Sequence, residues 1–194
     1  IGMLTAKYYS NTDIRLEDIP KPKIMDGEIL VKVAASGICG TDVMEWYRVK
    51  KAPRVLGHEI AGTIVESRSE KYTIGQRVFV SHHVACNECK YCLSGNHTAC
   101  ETLHAGNYDP GGYSEFVRVP AINVDRGVYI LPEHLSFAEA TMIEPLACAL
   151  RCQKVIDVKK GQVVLVLGSG VSGLLNIMVA GLKGAKVIAT DIDE

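Results

Sequence analysis

The densest chemistry in the chain is a run of four cysteines, Cys86, Cys89, Cys92 and Cys100, in the pattern C-x2-C-x2-C-x7-C. A tight loop at that spacing can bring all four sulfurs to one tetrahedral ion, and a site with no position left for water is structural rather than catalytic. An iron–sulfur cluster is the rival, but the ferredoxin pattern continues x3-C-P after the third cysteine. Here the fourth cysteine lies eight residues on and precedes Glu101, so zinc is preferred. Unliganded thiols would sit poorly among Asn87, Glu88, Lys90 and Asn96, and the loop's few cations form no nucleic-acid patch.

A second group is dispersed. Cys39 lies in Gly37-Ile38-Cys39-Gly40-Thr41-Asp42, His58-Glu59 follows Gly57, and Glu144 precedes Pro145. Thiolate, imidazole and carboxylate are all zinc ligands, and three of them with one exchangeable position make a catalytic arrangement. On spacing alone a lone cysteine reads more often as a small core residue, and Gly-His-Glu as a turn. Further on, Gly168-Ser169-Gly170-Val171-Ser172-Gly173 is a G-x-G-x-x-G loop between an apolar run and an amphipathic segment. In that setting it permits a tight turn, close approach of pyrophosphate and a helix N-terminus facing the phosphates. Asp191, 18 residues after Gly173, suits the ribose hydroxyls and repels a 2′-phosphate, which favours NAD over NADP.

These residues need elements to hold them. Met3 to Tyr9, Ile14 to Asp18, Glu28 to Ala35, Glu59 to Glu66, Arg77 to Ser81 and Tyr113 to Val119 read as short strands separated by turn residues, as in a small barrel or sandwich. After Leu135 the texture changes. Ser136 and Glu139 fit a capping box, and Pro145 suits the first position of a helix to about Asp157. Gln162 to Leu167 reads as a strand buried on both faces. Val171, Leu174, Leu175, Met178 and Leu182 mark one helix face, Gly184 suits its end, and Ala185 to Thr190 is a second buried strand. One βαβ unit cannot cover its own sheet, so the chain reads as the amino-terminal part of a longer protein.

Composition excludes several classes. With 47% hydrophobic residues and 21 Lys+Arg against 22 Asp+Glu, a net charge of −1 leaves no electrostatic footprint for nucleic acid. Residues 1–9 hold no cationic segment followed by an apolar one, and no run is long enough to span a membrane. Seven cysteines, an odd number with four crowded together, suit metal binding in a reducing compartment, so the expected location is cytoplasmic. Cys148 and Cys152 read as small core side chains, His82 and His83 as strand-end packing with a border on the substrate pocket as the alternative, and Arg48, Lys50, Lys51 and Arg54 as a solvated run with help to a charged substrate as the alternative.

The motifs Gly37 to Asp42, Gly57-His58-Glu59-Ile60-Ala61-Gly62, the four-cysteine lobe and Glu144-Pro145-Leu146-Ala147 occur in the order seen in zinc-dependent medium-chain dehydrogenases. The sequence most resembles the sorbitol and threonine dehydrogenase branch, over essentially its whole length. The resemblance implies an α/β protein: a GroES-like β-barrel domain with a zinc lobe (residues 1–143), then the connecting helix and first βαβ of a Rossmann domain (residues 144–194). It implies a catalytic zinc held by Cys39, His58 and either Glu59 or Glu144, a structural zinc on the four cysteines, and Thr41 at the start of a proton path. Gly168, Gly170, Val171, Gly173 and Asp191 would bind NAD. The implied activity is hydride transfer from an alcohol or polyol to NAD by a homodimer or homotetramer. A zinc-free quinone or enoyl reductase on the same scaffold and a non-catalytic zinc/NAD-binding protein are the alternatives. Many members carry a histidine five residues after the zinc cysteine; here that position is Met44.

Overall fold

The computed structural model describes residues 2–105 and 107–192, and Ile1 lies outside them. The chain divides into two compact units, Ile1–Thr141 and Met142–Glu194.

The first unit is built on antiparallel strands. A three-stranded sheet has β1 (Gly2–Ser10) between β2 (Asp13–Pro20) and the short β4 (Arg54–Val55). A five-stranded sheet runs in the order β7 (Phe116–Val119), β3 (Ile29–Ser36), β5 (Glu59–Ser67), β6 (Arg77–Ser81), β8 (Val128–Ile130). Its inner face supplies the core: Ile29, Val31, Ile60, Ile64, Val78, Val80, Val117 and Val119 are all fully buried. The i, i+2 spacing of these β-branched residues is what places them on one face. The expected strand from Tyr113 is shorter, beginning at Phe116. Residues 113–115 turn from β3 to β1 instead, Ala6 N–H donating to Tyr113 O at 2.8 Å and Glu115 N–H to Leu4 O at 3.1 Å. That switch ties the two sheets together beside the dispersed site.

Short helices fill the connections: α1 (Glu45–Arg48) after a 3₁₀ turn at Gly40–Val43, α2 (Lys90–Leu93) and α3 (Glu101–Ala105) in the cysteine lobe, α4 (Ala121–Gly127) and α5 (Phe137–Ala140). The capping box is present at α5, with Glu139 N–H donating to Ser136 Oγ and Ser136 N–H to Glu139 Oε2.

The second unit is α6 (Ile143–Val155), β9 (Val163–Leu167), α7 (Val171–Leu182) and β10 (Lys186–Thr190), with β9 and β10 parallel. Helix α6 starts two residues before the expected Pro145; the proline stays in the first turn, where its missing N–H costs nothing. The expected burial is corrected here in two respects. Alternate residues of β9 and most residues of β10, expected to be buried, are exposed, because only one face of the two-stranded sheet has a cover among the described residues. Cys148 and Cys152 are exposed rather than core; Ala149 and Gln153, one position round the helix, form the buried face, with Gln153 Nε2 donating to Asn176 O at 2.7 Å.

Candidate functional site

The cysteine lobe is preformed. The four sulfurs lie within 4.8 Å of one another, with Cys86 to Cys92 at 3.9 Å and Cys89 to Cys92 at 3.6 Å. Zn–S bonds of ~2.3 Å in a tetrahedron need sulfurs about 3.8 Å apart, whereas a disulfide needs ~2.05 Å. Asn87 adopts φ 59° in the knuckle, a turn that brings the N–H groups of Glu88 and Cys89 back onto Cys86 Sγ at 3.4 and 3.3 Å. Those N–H groups pull the Cys86 thiol below its usual range. The Cys86 N–H likewise draws Cys100 down to about 6, while burial pushes Cys92 up to about 12. Four sulfurs at zinc–thiolate spacing, with backbone N–H groups favouring the thiolate at Cys86 and Cys100, make a donor set that fits zinc. The lobe is clamped from α4: Arg126 Nη1 donates to Ala85 O at 3.0 Å and to Cys86 O, and Nη2 to Glu88 Oε1 at 3.3 Å.

The dispersed group also converges. One ligand atom each of Cys39, His58 and Glu59 lies within 4.8 Å of the others, with Glu59 buried and the other two partly accessible. Cys39 caps the 3₁₀ turn, and Glu59 begins β5, preceded by His58 and by Gly57, whose φ of +88° only glycine adopts without strain. A Cβ on Gly57 would lie 2.9 Å from Tyr113 N, and one on Gly37 would overlap the Glu59 carboxylate. Both glycines are therefore required by close approach. Sulfur, imidazole nitrogen and carboxylate on a partly open cluster make a donor set that suits zinc with an exchangeable position. Glu144 belongs to the other unit, in the first turn of α6, where the Cys148 thiol donates to its Oε1 at 3.4 Å.

Behind the ligands sits a network that no motif announced. Asp42, 5% exposed, receives the Cys39 N–H (3.1 Å) and the Tyr113 O–H (2.7 Å) on Oδ2, and its Oδ1 lies 3.7 Å from His58 Nδ1. Burial and the hydrogen bond to Asp42 hold the Tyr113 phenol far above its usual range, so it is a fixed donor. Arg48, expected in a solvated run, is instead largely buried: its Nη2 donates to Thr41 Oγ1 at 2.8 Å and to Asp42 Oδ1 at 3.1 Å, and its Nε to Thr41 O at 2.8 Å. The arginine's spacing after Asp42 was the available signal, and it went unread because Lys50 and Lys51 follow. Met44 ends the 3₁₀ turn, 36% exposed.

His82 is not merely strand-end packing. With Arg48, Arg54, His58 and Asn107 it lines a cavity of about 40 Å³, and its ring packs edge-on against Tyr108 at 4.8 Å. Burial, then the neighbouring His83 and His58, depress it to about 3. Its Nδ1 and Asn107 Oδ1 are buried with no protein partner, and a polar cavity of that size has room for water. His83 Nδ1 pairs with Leu103 O at 2.8 Å on the lobe.

In the second unit the glycine loop joins β9 to α7. Gly168 takes φ +92° and donates its N–H to Thr190 O at 2.8 Å. A Cβ on Gly173 would collide with Gly168 O, whereas one on Gly170 would meet nothing. The space that Gly170 keeps clear, above the helix opened by Val171, is where a pyrophosphate would approach. Asp191 is turned toward this loop, accepting the Ser169 N–H on Oδ2 (2.5 Å) and the Ile192 N–H on Oδ1 (2.7 Å).

Residues 25–128 match the family model of the alcohol dehydrogenase GroES-like domain. The chain is 34% identical over 204 residues to L-threonine 3-dehydrogenase of Rhizobium etli strain CIAT 652, covering 99% of this chain and 58% of that protein. It is 30% identical to sorbitol dehydrogenase of Bacillus subtilis, again over 99% of this chain and 56% of the relative. Among solved structures, a zinc-binding dehydrogenase from Sinorhizobium meliloti 1021 bound to NADP is 32% identical and superposes with a TM-score of 0.84, over 97% of this chain and 56% of that one. The chain thus spans somewhat more than half the length of the relatives it matches.

Proposed function

Because the chain belongs to the family of alcohol dehydrogenases with a GroES-like domain, we propose that the protein oxidises an alcohol or polyol with NAD, using a zinc at Cys39, His58 and Glu59. The convergence of those three side chains from separate elements carries the reading. Bound zinc would supply Lewis acidity toward the substrate oxygen, and NAD would accept the hydride. The chain's own residues do the rest. Asp42 Oδ1 lies 3.7 Å from His58 Nδ1 and places a carboxylate's negative charge beside the ring. Thr41 Oγ1 takes one hydrogen bond from Arg48 and keeps a lone pair for the substrate's hydroxyl proton. Met44 can accept no proton, so the proton leaves through water rather than an imidazole at that position. Glu144 is retained as an alternate carboxylate ligand, exchanging with Glu59.

On this reading the four cysteines carry a structural zinc. Residues 1–143 form the catalytic domain, and residues 144–194 the connecting helix and the start of the cofactor domain. The Gly170 N-cap and the Val171 turn would receive the pyrophosphate, and Asp191 the ribose hydroxyls. Asp191 is the reason for favouring NAD, although the Sinorhizobium relative holds NADP. The location is cytoplasmic and the assembly a homodimer or homotetramer; in support of the former, the described cysteines form no disulfide.

A screen of polyols, amino alcohols and simple secondary alcohols on the full-length protein, read by NADH formation, tests the activity. Zinc-dependent turnover is expected; its absence with every alcohol, on fully zinc-loaded protein, would leave the non-catalytic alternative. Asp191→Ser should raise the use of NADP relative to NAD roughly tenfold or more, and an unchanged ratio would mean that another residue sets the choice.

A further inference from the structure

We propose that Arg48 is a positioning residue, fixing the Thr41 hydroxyl and the Asp42 carboxylate together. The inference rests on the reading of Thr41 as the proton acceptor for the substrate hydroxyl. Arg48 ends the one-turn helix α1, its N–H bonded to Met44 O at 3.0 Å, and its side chain folds back over the preceding 3₁₀ turn. Three acceptors meet the guanidinium there: Thr41 O, Thr41 Oγ1 and Asp42 Oδ1. Only 12% of the side chain is exposed, unlike Lys50 and Lys51 on the following turn, which are exposed.

Two consequences follow from that geometry. A guanidinium is always a donor, so Thr41 Oγ1 must accept from it, and the hydroxyl hydrogen points elsewhere. The rotamer of the threonine is thereby set by a neighbour that cannot itself take a proton. On the other side, Asp42 Oδ1 stands between Arg48 at 3.1 Å and His58 Nδ1 at 3.7 Å, while Oδ2 is held by Cys39 N–H and Tyr113 O–H. Arg48 therefore aims the carboxylate that backs the His58 ring. One planar fork couples the proton acceptor to the metal ligand's support, a task that a lysine's single ammonium performs less well.

The test has two arms. In the full-length enzyme, with NAD and an alcohol that it oxidises, Arg48→Met should lower kcat roughly 10- to 100-fold, the range expected for losing a charge-assisted hydrogen bond. KM should change less than about threefold, and Arg48→Lys should recover part of the loss. In a Thr41→Ala background Arg48→Met should cost less than it does in the parent enzyme, because only the part acting through Asp42 remains. The second arm needs no turnover. The 194-residue chain is loaded with cobalt, and Arg48→Met should alter the visible bands of the Cys39–His58–Glu59 site while leaving the four-thiolate bands of the lobe unchanged. If Arg48→Met fails to fold, Arg48→Lys and its combination with Thr41→Ala carry both arms. A kcat within twofold of the parent with an unaltered cobalt spectrum, or losses that multiply in the Thr41→Ala background, overturns the proposal. A parent enzyme that oxidises no alcohol, with a cobalt spectrum that still responds to Arg48→Met, overturns the functional reading and keeps the coupling of Arg48 to the site.

Discussion

The two ligand clusters of the first unit are assembled in opposite ways. The lobe gathers Cys86, Cys89, Cys92 and Cys100 from one stretch of 15 residues, and its geometry is set by a knuckle, a one-turn helix and N–H groups aimed at sulfur. Cys39 and the His58-Glu59 pair come from either side of α1 and β4, and their convergence depends on two glycines that tolerate close approach and on Asp42, Tyr113 and Arg48 behind them. A site written locally can be closed and saturated. A site assembled by the barrel can leave a ligand position open, at the cost of needing a supporting network.

The sharpest way to break that contrast is to remove one thiol. Cys100→Ser should eliminate one of about two zinc equivalents per chain and destabilise the first unit by about 3–5 kcal/mol, a fall in Tm of roughly 10 °C, read by metal analysis and calorimetry. His58→Ala should likewise lose one equivalent and abolish turnover in the full-length enzyme, but move Tm by only a few degrees, since Cys39, His58 and Glu59 are not part of the packed apolar core. Comparable losses of stability from the two substitutions would dissolve the distinction. Chelation gives a kinetic version: a strong chelator should strip the open site in a fast phase and the lobe in a slow one, and His58→Ala should delete only the fast phase.

A smaller effect concerns His82. Its folded pKa of about 3 lies below the ~6.5 of an unfolded histidine, so the unfolded chain binds a proton first as the medium is acidified. The stability is complete above about pH 6.5 and lost progressively toward pH 3, by at most about 1.4 kcal/mol per pH unit. Urea midpoints at pH 7.5 and 5 should therefore fall less in His82→Phe than in the parent chain.

The lobe could be read from sequence because its ligands are close along the chain and no other use suits four thiols at that spacing. The glycine loop could be read for the same reason: strand, turn and helix are contiguous. Cys39, His58 and Glu59 became legible through resemblance, since nothing local says that residue 39 meets residue 58. Tyr113 and Arg48 were missed because their roles are tertiary. An arginine beside two lysines looks like a solvated face until the fold closes it over Thr41, and Tyr113 was assigned to a strand that the chain leaves in order to bridge the two sheets. The apolar stripe of α7 is legible from its period, which reports which face is apolar and not what lies against it: Leu174, Met178 and Leu182 are exposed.

In the 194-residue chain taken by itself, the parallel pair β9–β10 is held less firmly than the antiparallel sheet. Strands β9 and β10 are paired on one side each, and one sheet face is uncovered, whereas β3 and β5 are flanked on both edges and seated on a fully buried core. Opening the pair exposes little that is not already wet, so its amides should exchange with deuterium through small local fluctuations. Those of β3 and β5 should wait for cooperative unfolding of the barrel. In this 194-residue chain a dinucleotide that engages Gly168 to Gly173 should therefore declare itself first as slowed exchange in β9 and the opening turn of α7.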